Sequence, residues 1–172
     1  MHFPLFLELE GRPCLVVGGG PVAARKAQAL AGCGARVKMV APEVCGRTFE
    51  DGDVEGMALV IAATDDADVN RHVADLCKAK GIPVNVVDDP ANCTFIFPAI
   101  ARKGPLTVAV SSGGACPVAA KLVRDKVARA MPDDFVAEVE RLGRARDELK
   151  RTFPDPQERR RHCEEVLKKW ND

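Results

Sequence analysis

Along the first 110 residues, short continuous apolar runs alternate with stretches whose apolar positions recur at helical spacing. The runs at residues 13–17, 36–41, 58–63 and 83–87 predict strands. The run at 58–63 is apolar throughout, as a strand covered on both faces should be. Helices are predicted from Val22 to about Gly32 and over residues 67–80. Strands alternating with helices argue for a mainly parallel sheet. A further strand pair is expected at 95–99 and 106–110, around the turn-like Arg102-Lys103-Gly104-Pro105.

Beyond Val110 the pattern is helical only. Pro117 stands where a first helical residue would, and that helix is expected to run to about Ala130. Met131-Pro132-Asp133 breaks it, and Phe135, Val136, Val139, Leu142 and Leu149 then recur at helical spacing. A last helix opens at Asp155-Pro156. The chain is therefore expected to divide into an α/β domain, residues 1–110, and a helical region, residues 111–172.

The stretch between the second and third strands is too short for the usual arrangement. Residues 42–57 contain Gly46, Gly52 and Gly56 and show no good helical face. A parallel crossover needs a dozen or more residues, and an additional strand needs still more. Either the unit is trimmed here or a segment is missing.

Chemistry enters at the end of the first strand. Gly18-Gly19-Gly20-Pro21-Val22-Ala23 is a Gly-x-Gly-x-x-Ala pattern flanked by strand and helix in the right order. Gly18 permits the tight turn, Gly20 lets the backbone approach a pyrophosphate, and Ala23 allows close helix-on-strand packing. The helix from Pro21 and Val22 onward points its amides at the phosphates. Glycines also mark ordinary turns, but the flanking elements favour a Rossmann-like dinucleotide site. Beyond the second strand, Pro42 and Glu43 follow, and Glu43 is the sole acidic candidate for the ribose hydroxyls.

Composition changes the picture little. Twenty-five basic and 25 acidic side chains cancel, which argues against wholesale binding to nucleic acid or an anionic membrane. Seven cysteines with no Cys-x-x-Cys pair suggest free thiols in a reducing compartment, and Cys116 is read as structural. The start, Met1-His2-Phe3-Pro4-Leu5-Phe6, lacks a basic n-region, and no apolar run nears a membrane span. A cytoplasmic protein is expected. His2, His72 and His162 are scattered, so no side-chain metal site is expected.

Several segments together resemble a known family. They are Phe3-Pro4-Leu5-Phe6, Val17-Gly18-Gly19-Gly20-Pro21-Val22-Ala23, Ala62-Ala63-Thr64-Asp65-Asp66, Asn85-Val86-Val87-Asp88 and Val110-Ser111-Ser112-Gly113-Gly114. In this order and spacing they resemble the precorrin-2 dehydrogenase and sirohydrochlorin ferrochelatase family, the N-terminal module of siroheme synthases. The resemblance implies an α/β fold with a Rossmann-like parallel sheet, a small strand pair and an all-helical C-terminal part. It also implies NAD-dependent oxidation of precorrin-2 to sirohydrochlorin, with ferrous iron as a second substrate where ferrochelatase activity is present. Members are homodimers, the helical region serving the interface and the substrate cleft. The family has a helix and a strand where this chain has only residues 42–57. An NAD(H)-sensing module and a chelatase-only protein are the competing readings.

Asp88 ends the fourth predicted strand, on the sheet edge where α/β proteins bind ligands. By position alone it suits a turn residue as well as a general base, and the resemblance gives it the catalytic role. Thr64 is a candidate for the cofactor, while Asp65 and Asp66 are read as helix caps first. Ser111, Ser112, Gly113 and Gly114 before a Pro-started helix form either an anion site for a substrate carboxylate or simple capping. Lys121 and Arg124, one turn apart, either face substrate carboxylates or form a solvated basic face.

Overall fold

The computed structural model describes residues 2–170. Strands β1 (Pro13–Val17), β2 (Arg36–Val40), β3 (Leu59–Ala62) and β4 (Val84–Val86) form one parallel sheet in the order β2-β1-β3-β4. Helices α1 (Pro21–Ala31) and α3 (Ala67–Ala79) cover it, with a single turn, α2 (Pro42–Cys45), between them in the chain. Successive strand residues point to opposite faces, so each apolar run serves two cores. Leu15, Val17, Val60 and Ala62 meet Val73, Ala74 and Cys77 of α3. Cys14, Val16, Leu59 and Ile61 meet Ala23, Ala27 and Leu30 of α1. The α/β expectation holds, and every strand of this sheet ends within a residue of its predicted run.

The two sheet edges are closed differently. Beside β4, the Val84 N–H donates to Thr94 Oγ1 at 2.8 Å, and the Thr94 N–H returns to the Val84 carbonyl at 2.8 Å. Asn85 Nδ2 adds a bond to the Phe95 carbonyl at 3.0 Å. β2 is the other edge, and its exposed Arg36 and Lys38 discourage pairing with a foreign strand.

Contacts divide the chain between Phe97 and Pro98. The boundary expected at residues 110 and 111 is thereby moved, because β5 (Ala99–Lys103) and β6 (Leu106–Val110) pack against α4 (Pro117–Arg129). The strand expected at 95–99 also shifts. β5 pairs antiparallel with β6, Ala99 opposite Val110 and Lys103 opposite Leu106. Phe95 and Phe97 instead join the core on the α1 side, their ring centroids 5.6 Å apart. Their apolar character records packing onto α1 rather than a strand. The second unit continues with α5 (Asp133–Arg144), α6 (Arg146–Thr152) and α7 (Pro156–Leu167). The helical run expected through Leu149 is broken at Ala145.

Candidate functional site: the carboxyl edge of the sheet

Because the four strands are parallel, the turns that follow them share one edge. Gly18–Gly20 follow β1, Pro42 and Glu43 follow β2, Thr64–Asp66 follow β3, and Asp88 lies beyond β4. The first three turns line a cleft of about 740 Å³, together with Thr48, Phe49 and Asp51 and with Asp68, Val69 and His72 of α3. That volume lies in the range of small-molecule and cofactor sites.

The glycine turn is shaped for close approach. Gly18 has φ 127°, and a Cβ there would run into the Ala63 carbonyl at the end of β3. Its N–H donates to the Val40 carbonyl at 2.9 Å, tying the turn to β2. Gly19 lies against the Glu43 carboxylate, which a Cβ would strike. At Gly20 a Cβ would meet no protein atom within 4 Å, so this backbone faces open cleft. α1 starts immediately after it, with no side chain capping its first amides. A dinucleotide pyrophosphate fits this cradle: bare backbone, free amides and the positive end of a helix dipole converge on it. Glu43 reaches the same point and suits ribose hydroxyls. Pro21 and Val22 set the helix start but do not line the cleft.

The turn after β3 is held by a residue that sequence reading passed over. Asn70, buried on α3, accepts from the Thr64 N–H at 3.1 Å and from Thr64 Oγ1 at 2.8 Å, and donates to the Thr64 carbonyl at 2.9 Å. Thr64 lines the cleft, and its hydroxyl also lies 3.0 Å from the Asp66 carbonyl, a second acceptor for its proton. Asp66 caps α3, accepting from the Asp68 and Val69 N–H groups at 2.9 and 3.1 Å. Asp65 and Asp66 both line the cleft.

Between β2 and β3 the chain is continuous and closed by its own groups. α2 ends at Gly46, which is left-handed (φ 75°), and a 3-10 turn follows at Asp51–Val54. Asp53 is only 5% exposed. Its carboxylate accepts from Lys38 Nζ of β2 at 2.8 Å, from both Arg47 guanidinium nitrogens at 2.8 and 2.6 Å, and from the Glu50 N–H at 3.0 Å. The Arg47 guanidinium, chiefly, holds the Asp53 carboxyl far below the usual carboxylate range. Arg47 also donates to the Thr48 carbonyl at 2.9 Å. At the cleft wall His72 Nε2 lies 2.7 Å from Asp51 Oδ1, and the Phe49 ring meets His72 edge-on at 6.2 Å. Residues 42–57 thus close on themselves with one helical turn and one 3-10 turn, without an additional strand. None of Thr48, Phe49, Asp51, Asp53 or His72 belongs to a recognisable motif.

Asp88 is exposed and left-handed (φ 58°), the one non-glycine residue with positive φ among the described residues. Such strain of roughly 1 kcal/mol or more concentrates at functional sites, and Asp tolerates it better than most residues. Lys26 of α1 lies nearby, its Nζ 3.6 Å from the Phe97 ring centroid. Burial, then Arg25, push its pKa down to about 8, while Cys93 and Asp88 act in the opposite direction. On sequence alone Lys26 is one charged residue among many on a helix.

The remaining candidates belong to the second unit. Ser111 Oγ accepts from the Gly113 N–H at 3.0 Å and Ser112 Oγ from the Cys116 N–H at 2.9 Å. Gly113 and Gly114 are both left-handed, with φ 63° and 91°. Lys121 is exposed, whereas Arg124 Nε already donates to Asp125 at 2.8 Å. Among the described residues, no group of three or more His, Cys, Asp or Glu is placed to hold a metal ion. No helix there is long and apolar enough to cross a membrane.

Known proteins bear on this geometry directly. A family model for NAD(P) binding matches residues 5–99, and a second, described as sirohaem biosynthesis protein central, matches residues 103–130. The chain belongs to the NAD(P)-binding family whose model spans residues 5–99. It is 48% identical to a siroheme synthase of Ectopseudomonas mendocina over 178 aligned positions, covering 95% of this chain and 38% of that protein. A siroheme synthase of Thioalkalivibrio sulfidiphilus is 44% identical, over 96% of this chain and 37% of the relative. This chain thus spans well under half the length of these relatives. The 178 aligned positions exceed the 172 residues present, so the first relative carries residues that this chain lacks. A solved structure described as SirC, precorrin-2 dehydrogenase, shares the fold at a TM-score of 0.73 and 22% identity, over 99% of this chain and 90% of that one.

Proposed function

We propose that this protein oxidises precorrin-2 to sirohydrochlorin with NAD, within siroheme biosynthesis. The carrying observation is the open cradle at Gly20, which shares a sheet edge with the strained, exposed Asp88. Family membership supports the cofactor class, and the names of the relatives and of the structural neighbour support the choice of substrate.

The reaction removes a hydride and a proton from a reduced tetrapyrrole. The bound nicotinamide supplies the hydride acceptor. Gly18, Gly19 and Gly20 would hold its pyrophosphate, and Glu43 its adenosine ribose. Asp88, at the carboxyl end of β4, takes the proton as general base. NAD is preferred over NADP because Glu43, Asp51, Asp65, Asp66 and Asp68 all line the cleft and His72 is the one basic residue there. A 2′-phosphate would meet those carboxylates.

The serine loop and Lys121 are assigned to the acetate and propionate groups of the substrate. Arg124 is the weaker candidate because Asp125 already holds it. Asp88 also serves to accept pyrrole protons when ferrous iron enters the product. α4 exposes Val118, Leu122 and Val123, an apolar face suited to a homodimer in the cytoplasm.

The test is anaerobic incubation of the protein with precorrin-2 and either NAD or NADP. Stoichiometric NADH and sirohydrochlorin, with NADP at least tenfold less effective, is the expected result. Intact precorrin-2 without reduced cofactor refutes the reading.

A further inference from the structure

We infer that Asp53 is the positioning residue of the adenosine side of the cofactor cleft, holding in place the wall that the short β2–β3 connection contributes. The inference rests on the cofactor reading above. The adenosine wall of the cleft includes Thr48, Phe49 and Asp51, which belong to no strand and no α-helix. Loop residues without such support are the most mobile part of a domain. Here four hydrogen bonds from three places converge on one buried carboxylate: Lys38 on the edge strand, Arg47 beyond α2, and the Glu50 N–H at the start of the 3-10 turn.

The node is built around the cleft-lining residues rather than beside them. Arg47 binds Asp53 through both guanidinium nitrogens and also donates to the Thr48 carbonyl, so the residues on either side of Phe49 and Asp51 are fixed. The Asp53 N–H in turn donates to the Glu50 carbonyl at 2.9 Å, closing the 3-10 turn across Asp51. Asp51 is thereby aimed at His72, 2.7 Å away on α3, and Phe49 packs edge-on to the same imidazole. Thr48 to Asp53 is thus a rigid bracket from β2 to the mouth of α3. Asp53 itself does not line the cleft, so it acts through the wall and not on the cofactor.

The test compares wild type with Asp53→Asn, Arg47→Met and Lys38→Met, all as the full chain. NAD binding is measured by calorimetric titration. In turnover, the KM for NAD is read separately from kcat and from the KM for the tetrapyrrole. Asp53→Asn is expected to weaken NAD binding tenfold or more, with kcat at saturating NAD and the tetrapyrrole KM within twofold of wild type. Arg47→Met should lose threefold or more, and Arg47→Lys should recover part of it. A purely structural role would instead lower the active fraction and therefore kcat, leaving the KM for NAD in place. If Asp53→Asn fails to fold, the Arg47 and Lys38 variants decide the matter. Folded variants that bind NAD within twofold of a binding-competent wild type overturn this inference alone. A wild type that binds no NAD overturns the cofactor reading and this inference with it.

Discussion

The turns after β1 and β2 both face the cofactor cleft, but they are held there by different forces. The turn after β1 is held by sterics: Gly18 abuts the Ala63 carbonyl, and the strands on either side are buried. The connection after β2 is held by charge, through one carboxylate and two cations whose side chains are 47% and 37% exposed. Packing of the first kind is insensitive to pH and salt, whereas partly exposed ion pairs are screened and titrate. One cleft therefore has a wall that solution conditions leave alone and a wall that they can loosen.

The largest expected effect comes from breaking the steric side. Gly18→Ala forces a Cβ into the Ala63 backbone just beyond β3 at a left-handed φ, and should abolish measurable NAD binding and cost roughly 1–3 kcal/mol in denaturant unfolding. Binding at wild-type affinity would show that the turn is not held as described. Next is the charged side. Asp53→Ala should cost about 2 kcal/mol, less than a fully buried pair because its partners are partly exposed.

The pH dependence of the charged side has a definite sign. Because the Asp53 carboxyl is held below its unfolded value, its stabilisation is complete above about pH 4 and is lost as the pH falls toward the folded pKa. Acid titration of stability should flatten in Asp53→Asn and keep its slope in Gly18→Ala. Equal slopes in the two variants would erase the contrast between the walls.

A smaller effect belongs to Asn70, which pins the turn after β3. Asn70→Ala should cost roughly 1–2 kcal/mol, with NAD binding weakened less than by Gly18→Ala. The smallest concerns Lys26. Its folded pKa of about 8 lies below the unfolded 10.5, so the unfolded chain holds more protons between those values. Stability should rise modestly with pH across that window, and Lys26→Met should remove the rise. An unchanged slope in the variant would show that another group titrates there.

Sequence pattern made the steric side legible and left the charged side hidden. Gly18, Gly20 and Ala23 sit at fixed spacing between a strand and a helix, a local arrangement that spacing can report. Asp53 joins Lys38 across fifteen positions, and nothing in the composition of residues 42–57 distinguishes it from Asp51 beside it. The same holds for Asn70 and Thr64, and for Lys26, which earns its surroundings only when residues 93–97 fold back beside α1. The misplaced strand at 95–99 has that origin too, since an apolar stretch reads alike whether it pairs in a sheet or packs on a helix. Strong alternation of apolar runs fixed the sheet; long-range polar contacts left no trace in periodicity.

The central claim is that Asp88 performs the chemistry beside a cofactor held by the glycine turn. The most direct measurement is NADH formation from precorrin-2 by Asp88→Ala, at an NAD concentration shown by titration to saturate both variant and wild type. The account predicts unchanged NAD affinity with turnover at least a hundredfold lower. Wild-type turnover at equal NAD occupancy would contradict it.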